Sequence, residues 1–504
     1  MTIKSRAGIG MKKHVSKTLL ILFAILLSSC GSTVQETGIA RDAQAFAETD
    51  MQTEAIPETD SETAVDIAAR FADVDFDGAS FRICTLERNK FEIASDELTG
   101  EICNDAIYNR NLAVNDALNV HIEALALTTR HDTDQLDTVQ KSVVSGEDFC
   151  DMATGIAYLT GGYLTKGIFR NWRSLPVIDF DAPWWVTRAN DAFTSGGKQF
   201  AAVGDLGITL LLQTYGTFFN KNLAEEYGID GLYDTVLDGK WTIDLLDTLA
   251  ATVYTDVNGD GTRDMGDIYG YVAERVINCD VMLPSFDQPL LSRDSDGLPY
   301  VTINTERTHT AVEKIYKLFY ENPGSYIVDQ WADELPIFAV GRSLFITTYL
   351  GNAFDSFRDM EDPYGILPFP KFDEAQADYL CDARDQYSVF VVPVTTNRTE
   401  LVGYTMEALN IESRNTVYPA YYETALQSKY VHDAPSVEML DILLAGRNYS
   451  FAILHSSNLS RLPYLVRQLM EERSTDFASL YAKKEEEIEK GLRSVIDAYL
   501  TYNE

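Results

Sequence analysis

One stretch of this chain is apolar enough to enter a membrane, and it is too short to cross one. Residues 18–27 read TLLILFAILL. A membrane-spanning helix needs about 20 apolar residues, whereas the apolar core of an export signal has about 7–15. No later segment of the sequence is long and apolar enough to span a bilayer. We therefore expect the rest of the chain to fold in water, on the outer side of the membrane.

The residues around this apolar run follow the order of a lipoprotein signal. Lysines at positions 12, 13 and 17 precede it, and Leu27-Ser28-Ser29-Cys30 follows it. This arrangement resembles the bacterial lipobox, in which the cysteine thiol is acylated, for example with palmitate, and the chain is cut just before it. We predict a signal peptide over residues 1–29 and a lipid anchor on Cys30. The alternatives are an ordinary signal with a chance cysteine and a short buried helix.

The segment after Cys30 has the composition of a tether. It is rich in Thr, Glu, Asp and Ala, and its first part contains no aromatic residue except Phe46. Such a segment cannot bury enough apolar surface to offset the entropy lost on ordering. We predict a disordered acidic tether over residues 30–78 and a folded part that begins near Ala79.

Short strand patterns alternate with helical patterns in the folded part, which indicates an α/β protein. Residues 80–85 alternate in polarity, and residues 388–394 form a β-branched run. Residues 242–253 place apolar side chains on one helical face, with Thr242 as the predicted N-cap. About 430 residues follow the tether, more than one hydrophobic core normally organises, so we expect two or more lobes.

The net charge argues against a nucleic-acid site, and the cysteine spacing does not indicate a zinc site. Acidic residues outnumber basic ones by 77 to 41, and the resulting net charge of −36 repels nucleic acid. Five cysteines remain besides Cys30, an odd number, so at least one thiol stays outside any disulfide within the chain. One or two disulfides are compatible with an extracellular protein. No CxxC pair occurs, so the sequence does not indicate a structural zinc site.

Residues 256–267, DVNGDGTRDMGD, match the spacing of a twelve-residue calcium loop. Calcium needs about 6–8 oxygen ligands, and a glycine at position 6 allows the chain to turn sharply around the ion. The predicted ligands are Asp256, Asn258, Asp260, Thr262 through its carbonyl, Asp264 and Asp267. Asp267 stands where glutamate is usual. We predict a structural calcium ion here; the alternative is an acidic turn without metal.

Several segments together resemble the extracellular solute-binding proteins of ABC sugar importers, the family that includes maltose-binding protein. The order and spacing of the segments carry the resemblance. They are residues 215–229 (YGTFFNKNLAEEYGI), 239–246 (GKWTIDLL), 256–270, 340–345 (VGRSLF, with Ser343 where alanine is usual) and 364–371 (YGILPFPK).

The resemblance implies a two-lobed α/β fold of the type II periplasmic-binding-protein kind, with hinge strands and a central ligand cleft. By this analogy residues 79–210 and 388–440 form the N-terminal lobe, and residues 211–387 and 441–504 form the C-terminal lobe. A sugar or oligosaccharide would bind in the cleft and favour the closed state. The implied partners are the permease subunits of an ABC transporter. The implied protein is a monomer on the outer face of the cytoplasmic membrane, attached through its lipid only.

Aromatic side chains and planar polar groups suit a sugar, and α/β sites form at strand ends. Among the tryptophans, Trp184 and Trp185 are candidates for one cleft contact, with packing inside a lobe as the equal alternative. The other candidates lie in loops that follow predicted strands, and the alternative for each is a surface residue without a ligand contact. They are Glu87, Arg88, Tyr158, Asp205 and Tyr349.

The sequence contains no recognisable catalytic arrangement, since GxSxG, HExxH and phosphate-binding glycine loops do not occur and the six histidines are scattered. We therefore expect a binding protein without enzymatic activity. The alternatives are a lipid-anchored extracellular carbohydrate-active enzyme, such as a glycosidase with two carboxylates, and a peptide-binding surface lipoprotein.

Overall fold

Two separate β-sheets organise the chain, and each draws its strands from distant parts of the sequence. The computed structural model describes residues 64–330, 332–427 and 434–502. Residues 62–504 form one unit by their internal contacts. The predicted lipid anchor on Cys30 lies outside the described residues, as does most of the predicted tether.

The strands are β1 (Ala79–Leu86), β2 (Val120–Leu127), β3 (Met152–Ile156), β4 (Tyr215–Asn220), β5 (Tyr254–Thr255), β6 (Ile268–Glu274), β7 (Leu291–Arg293), β8 (Pro299–Val301), β9 (Ser325–Val328), β10 (Ser343–Tyr349), β11 (Tyr364–Leu367), β12 (Cys381–Asp382), β13 (Ser388–Val391) and β14 (Arg447–Asn448).

The helices are α1 (Ile67–Arg70), α2 (Lys90–Ile93), α3 (Ile102–Leu118), α4 (Asp134–Ser145), α5 (Ala157–Leu164), α6 (Thr187–Ala192), α7 (Thr209–Leu212), α8 (Lys221–Glu226), α9 (Leu232–Leu237), α10 (Ile243–Ala250), α11 (Arg275–Ser285), α12 (Glu306–Tyr316), α13 (Leu335–Ala339), α14 (Gly351–Phe354), α15 (Thr399–Glu412), α16 (Tyr418–Gln427), α17 (Ala434–Ala445), α18 (Phe451–Leu454), α19 (Leu465–Glu471) and α20 (Phe477–Thr501).

The first sheet has the strand order β13-β3-β1-β2. Strand β1 is parallel to β2 and β3, whereas β13 is antiparallel to β3. Asp151, which is fully buried, stands beside this sheet and accepts from the backbone N–H of Arg82 at 2.8 Å. Its carboxylate also pairs with the guanidinium groups of Arg82 and Arg398. This charge network ties the start of β1 to the segment that follows β13.

The second sheet has the order β11-β4-β10-β6-β5, and β9 also pairs with β6. Strands β6, β9 and β10 are parallel, whereas β4 runs antiparallel to β10 and β11. Thr242 accepts from the backbone N–H of Leu245 at 3.3 Å, which confirms the predicted N-cap of α10. Short pairs β7-β8 and β12-β14 lie outside the two main sheets.

The folded part begins earlier than predicted. Helix α1 lies inside the region predicted as tether, and Asp66 caps it by accepting from Ala68 and Ala69. Ile67 and Phe71 are buried, and the Phe71 ring packs edge-on against Tyr404 at 5.7 Å. The predicted tether boundary at residue 78 was therefore wrong, because two apolar side chains in an acidic stretch suffice to dock a short helix.

The C-terminal segment contacts both sheet regions. Near the start of α20, Phe477 packs against His309 of α12 at 5.5 Å. At the other end of α20, Tyr499 packs against Phe200 at 4.8 Å, and the Lys198 Nζ donates to the Leu500 carbonyl at 3.1 Å. The sequence predicts that residues 441–504 belong to the C-terminal lobe alone. The contacts with Phe200 and Lys198 show that α20 also packs against the predicted N-terminal lobe.

The five cysteines within the described residues are buried thiols. Cys84, Cys103, Cys150, Cys279 and Cys381 are all buried, and none of them forms a disulfide. Burial raises the pKa of Cys381 to about 12. Over the described part of the chain, no helix has both the length and the apolar character that crossing a bilayer requires.

Candidate functional site

Both sheets present an edge where parallel strands end. Strands β1, β2 and β3 end at Leu86, Leu127 and Ile156 in the first sheet. Strands β6 and β10 end at Glu274 and Tyr349 in the second. Loops beyond the carboxyl ends of parallel strands are where α/β proteins form their binding sites. The candidate site therefore takes its side chains from these two edges.

Two chain segments run between the sheets and lie beside each other. The segment before β4 and the segment before β13 form an antiparallel bridge between Thr214 and Ala383, and Arg384 donates its backbone N–H to the Gln213 carbonyl at 2.8 Å. Buried Glu92 joins the same region, since its carboxylate accepts from the hydroxyls of Thr209 at 2.7 Å and Ser388 at 2.6 Å. These segments have the arrangement of hinge strands.

A group of polar and aromatic side chains meets where these segments pass the strand ends. We call Tyr158, Tyr349, Arg384, Asp385 and Tyr464 the cleft cluster. The Tyr158 backbone N–H donates to the Asp385 carbonyl at 3.2 Å, and the Tyr464 hydroxyl donates to Asp385 Oδ2 at 2.5 Å. The Arg384 guanidinium lies 5.5 Å from the centre of the Tyr349 ring. The cluster thus combines aromatic faces with charged hydrogen-bonding groups.

Charged groups from the first sheet and from the hinge segment lie around Tyr158. Burial raises the pKa of Tyr158, the carboxylates of Asp385 and Asp132 raise it further, and Arg88 and Arg384 lower it. Arg88 and Asp132 form an ion pair of 2.6 Å between the ends of β1 and β2. Half-buried Tyr158, which follows β3, is therefore surrounded by residues that follow β1 and β2 and by residues of a hinge segment.

The structure places three of the predicted ligand-binding residues together. Tyr158 and Tyr349 belong to the cleft cluster, and Arg88 acts on Tyr158 from the adjoining strand end. Glu87 is exposed and adjoins Arg88 in the turn that follows β1. The rule that sites form at strand ends thus brought out one side of the cluster from sequence alone.

Trp184 and Trp185 lie in the core of the first-sheet region instead. Both are buried, and both indole N–H groups donate to the carboxylate of Glu407, at 2.5 Å and 2.9 Å. Trp185 also packs edge-on against Trp172 at 5.9 Å and Phe180 at 4.9 Å. Of the two alternatives for this pair, the structure has the packed one.

Asp205 is also outside the cleft cluster. Its backbone N–H donates to the Trp184 carbonyl at 3.0 Å, and its carboxylate lies 3.4 Å from the Arg414 guanidinium. Burial raises the pKa of Asp205 to about 6, although the positive charges of Arg414 and Arg447 oppose that shift. Asp205 therefore supports the packing around Trp184 and has a structural role.

Three members of the cleft cluster were not predicted from the sequence. Arg384 and Asp385 come from the hinge segment, and Tyr464 comes from the C-terminal region, about 80 residues further on. A signal existed for the first two, because only two residues separate the charged run DARD from the start of the apolar strand β13. No local signal marked Tyr464, since its role depends on the contact with Asp385.

Glu334 lies beside the second edge and has an unusual environment. The side chain is only 4% exposed, and Oε2 accepts no hydrogen bond from any described residue. Burial raises the pKa of Glu334 to about 7, and the charges of Glu274 and Asp333 act in the same direction, while Arg384 opposes them. The folded protein therefore binds a proton at Glu334 more tightly than the unfolded chain does.

This shift predicts a pH-dependent difference between the protein and its Glu334→Gln variant. Because the pKa rises from 4.5 to about 7 on folding, the stabilisation by protonation is complete below pH 4.5 and is lost as the pH rises through 7. We expect Glu334→Gln to match the parent at pH 4 and to exceed it at pH 8, by at most about 3 kcal/mol. Urea unfolding across this range measures the difference. Parallel profiles of the two proteins would contradict the assignment.

The predicted calcium loop closes on itself through backbone donors. Asp256 accepts from Gly259 at 2.7 Å and from Gly261 at 2.8 Å, and Asp260 accepts from Thr262 at 2.6 Å. Gly259 and Gly261 have φ of 73° and 74°, a conformation that residues with a Cβ rarely adopt. The loop therefore has the tight turn that the spacing predicts.

The last predicted ligand of this loop points elsewhere. Asp267 is 1% exposed, and it accepts from the Val257 backbone at 3.2 Å and from the hydroxyls of Tyr254 and Tyr269 at 3.3 and 3.4 Å. In the part of the chain that the structure describes, no three His, Cys, Asp or Glu side chains are grouped to hold a metal ion. The fit to calcium thus rests on the spacing and the turn.

The fold is similar to that of solved ABC solute-binding proteins. One is an ABC substrate-binding protein from Listeria monocytogenes in complex with cycloalternan, at 13% identity and a TM-score of 0.52, covering 82% of this chain and 99% of that one. The galacto-N-biose/lacto-N-biose I-binding protein of the ABC transporter from Bifidobacterium longum, in complex with lacto-N-biose, has 12% identity, a TM-score of 0.55, and coverages of 83% and 98%.

A third similar structure holds a ligand that is not a sugar. UgpB from Mycobacterium tuberculosis, in complex with glycerophosphocholine, has 13% identity, a TM-score of 0.52, and coverages of 84% and 99%. The sequence itself matches no protein-family model and no curated protein. At these identities the likeness shows the fold alone. The chain has the two-lobed type II fold of ABC solute-binding proteins, with hinge strands and a central cleft, as its sequence resemblance predicted.

Proposed function

We propose that this chain is the extracytoplasmic, lipid-anchored substrate-binding subunit of an ABC importer, and that it captures a sugar or oligosaccharide by closure of the cleft. The observation that carries the proposal is the cleft cluster. It brings together Tyr158, whose backbone N–H donates to the Asp385 carbonyl, and Tyr349, whose ring lies against the Arg384 guanidinium, so residues of two different sheets meet at a hinge segment. Aromatic faces with a few fixed polar groups suit a ring that carries hydroxyls.

The fold and the similar structures support the proposal. Two of the solved proteins named above are bound to carbohydrates, and both are binding proteins of ABC transporters. In this fold, ligand binding shifts the population towards the closed state, and closure brings groups from both lobes onto the ligand. A second candidate, a polar solute other than a sugar, is favoured by the similar structure that holds glycerophosphocholine.

A ligand screen on the purified chain tests the proposal. The probes are lacto-N-biose, cycloalternan and glycerophosphocholine, first by thermal shift and then by calorimetry. We expect stoichiometric binding of a carbohydrate without turnover. Product formation would favour the carbohydrate-active enzyme, binding of peptides alone would favour the surface lipoprotein, and binding of glycerophosphocholine alone would favour the second candidate.

Matched tyrosine variants locate the binding site in the same screen. We expect Tyr349→Ala to weaken carbohydrate binding at least tenfold, because it removes an aromatic face of the cluster. Tyr300 serves as the control, since it is 49% exposed on β8 and contacts no member of the cluster. Equal affinities of the two variants would place the ligand outside the cleft cluster.

The lipid anchor and the transporter partnership form a separate part of the proposal. They are supported by the lysines, the apolar run and Cys30 in the first 30 residues. We expect the protein to cofractionate with membranes, and Cys30→Ala to release it or to leave it unprocessed. Mass spectrometry of the mature N-terminus measures the acylation. Copurification with permease subunits in mild detergent tests the partnership.

We further propose that residues 256–267 hold a structural calcium ion. The proposal is supported by the twelve-residue spacing and by the glycine turn at Gly259 and Gly261. Binding would draw the Asp267 carboxylate away from Tyr254 and Tyr269. The ion would stabilise the loop and would have no part in solute binding.

Calcium is expected to raise the melting temperature of the purified chain, because a ligand that binds only the folded state stabilises it by mass action. Differential scanning calorimetry in millimolar calcium and in chelator measures the effect. Asp260→Ala should abolish the shift, whereas Asp238→Ala, an exposed residue outside the loop, should retain it. An unchanged melting temperature together with no terbium luminescence would disprove the ion.

A further inference from the structure

The C-terminal segment brings an additional arginine to the cleft cluster. Arg461 stands directly before a short helical turn, residues 462–464, and its guanidinium lies 5.4 Å from the centre of the Tyr464 ring. Tyr464 in turn donates to Asp385. Ser456, in the same segment, donates its hydroxyl to the Tyr158 carbonyl at 3.2 Å. Residues 456–464 thus contact the cluster from a side that neither sheet supplies.

The backbone holds Arg461 in an uncommon conformation. Ser460 and Arg461 have φ of 51° and 62°, so two consecutive residues with side chains occupy the left-handed region. The Arg461 backbone is fixed there, because its N–H donates to the Ser456 carbonyl and its own carbonyl accepts from Tyr464. Strained residues of this kind are concentrated at ligand clamps and active sites. The side chain itself remains exposed.

The other arginines near the cluster already have partners within the protein. Arg88 pairs with Asp132 at 2.6 Å, and the Nε of Arg467 donates to Asp280 at 3.1 Å. Arg384 lies over the Tyr349 ring. The Arg461 guanidinium donates to no residue that the structure describes, so its five N–H groups are available to a ligand.

Asp385 supplies the complementary acceptor. Its Oδ2 accepts from Tyr464, and its Oδ1 accepts from no described residue. Burial raises the pKa of Asp385, while the Tyr464 hydroxyl and the positive charges of Arg467, Arg384 and Arg461 lower it. A donor fork and a carboxylate oxygen therefore flank the same tyrosine. Each hydroxyl of a sugar both donates and accepts, so a pair of neighbouring hydroxyls matches this pair of groups.

We propose that Arg461 and Asp385, which both contact Tyr464, form a ligand subsite that binds two neighbouring oxygen atoms of the solute. The guanidinium donates to both oxygens, and Asp385 Oδ1 accepts from one of the hydroxyls. This inference rests on the proposed function and assigns a specificity-determining residue to it. The shared chemistry is a pair of neighbouring oxygens bound by the guanidinium: a vicinal diol satisfies both Arg461 and Asp385, whereas the carboxylate of an acidic sugar would bind Arg461 alone and leave Asp385 Oδ1 to a hydroxyl of the same sugar.

Calorimetry on the purified chain and its variants tests the subsite, with lacto-N-biose and cycloalternan as neutral probes and digalacturonate as the charged probe. Arg461→Ala is expected to weaken the bound probe about 10- to 100-fold, the usual effect of losing hydrogen bonds to a charged group. Arg461→Lys keeps the charge but loses the planar fork, so it should give an intermediate loss.

Arg473 provides a closely matched control. It is exposed, has φ of 52°, and lies over a tyrosine ring, that of Tyr320, at 4.0 Å. Tyr320 donates to the Met470 carbonyl and contacts no member of the cleft cluster. Arg473→Ala thus makes the same backbone and ring change elsewhere, and it is expected to leave the affinity unaltered.

The possible outcomes separate the subsite from the function. If the parent binds a probe and Arg461→Ala binds it as tightly as Arg473→Ala does, the subsite is disproved and the proposed function stands. If the parent binds no carbohydrate, both are disproved. Loss of binding for the neutral probes identifies the diol as the ligand group, and loss for digalacturonate alone identifies the carboxylate. Circular dichroism confirms that each variant is folded.

Discussion

Replacing Asp151 by alanine is expected to lower the free energy of unfolding by about 3 kcal/mol, the lower end of the cost of breaking a buried ion pair, because Asp151 is buried whereas its two arginine partners are partly exposed. The Asp151 side chain is 0% exposed, and it pairs with Arg82 and Arg398. Without the carboxylate, Arg398 loses its ion-pair partner, Arg82 keeps only its pair with Asp148, and the Arg82 backbone N–H loses its acceptor. Urea unfolding followed by tryptophan fluorescence measures the loss.

An exposed ion pair gives the control for this experiment. Glu489 and Arg493 lie one turn apart on α20, with side chains 48% and 63% exposed. Glu489→Ala should change the free energy of unfolding by about 0–1 kcal/mol, since solvent screens such pairs. If Asp151→Ala lowered the free energy of unfolding no more than Glu489→Ala does, the charge network around Asp151 would not contribute to stability.

Replacing Glu407 by alanine is expected to cost about 3 kcal/mol or more. Glu407 is 1% exposed, and its two oxygens accept from the Trp184 and Trp185 indoles and from the Asp179 backbone N–H at 2.7 Å. Alanine leaves two buried indole donors and one partly buried backbone donor without an acceptor, and each buried donor of this kind costs about 1–3 kcal/mol. Urea unfolding gives the magnitude, and a red shift of the tryptophan emission reports solvent entry.

The Glu407→Gln variant separates hydrogen bonding from charge. The amide oxygen still accepts from two donors, so we expect a smaller loss than for alanine. Burial raises the pKa of Glu407, while its three donors lower it. Equal losses for the two variants would show that the carboxylate oxygens do not hold the tryptophan pair, and that volume alone matters.

The tryptophan pair shows where sequence reasoning reached its limit. Two adjacent aromatic residues suggest a sugar platform, yet their environment depends on Glu407, which lies 222 residues from Trp185 in the sequence. Features that depend only on the local sequence were predicted correctly. The N-cap at Thr242, the strand at residues 80–85 and the alternation of strands with helices depend on neighbouring residues, and the structure contains all three.

The candidate site divides in the same way. Tyr158 and Tyr349 follow recognisable strands, so the rule about strand ends applied to them directly. Asp385 and Tyr464 acquire their role from one contact between a hinge segment and the C-terminal segment. Periodicity and composition do not encode such a contact, because it depends on how separate elements pack.

Helix α20 has a mechanical consequence for the proposed closure of the cleft. A helix of 25 residues is about 37 Å long, and this one is attached near one end through Phe477 and at the other through Tyr499 and Lys198. It therefore acts as a strut between the two sheet regions. A strut fixed at both ends resists separation of its two attachment points along its length. The lobes can therefore rotate about the helix but cannot move apart along it. This restricts the opening of the cleft to a small set of rotations.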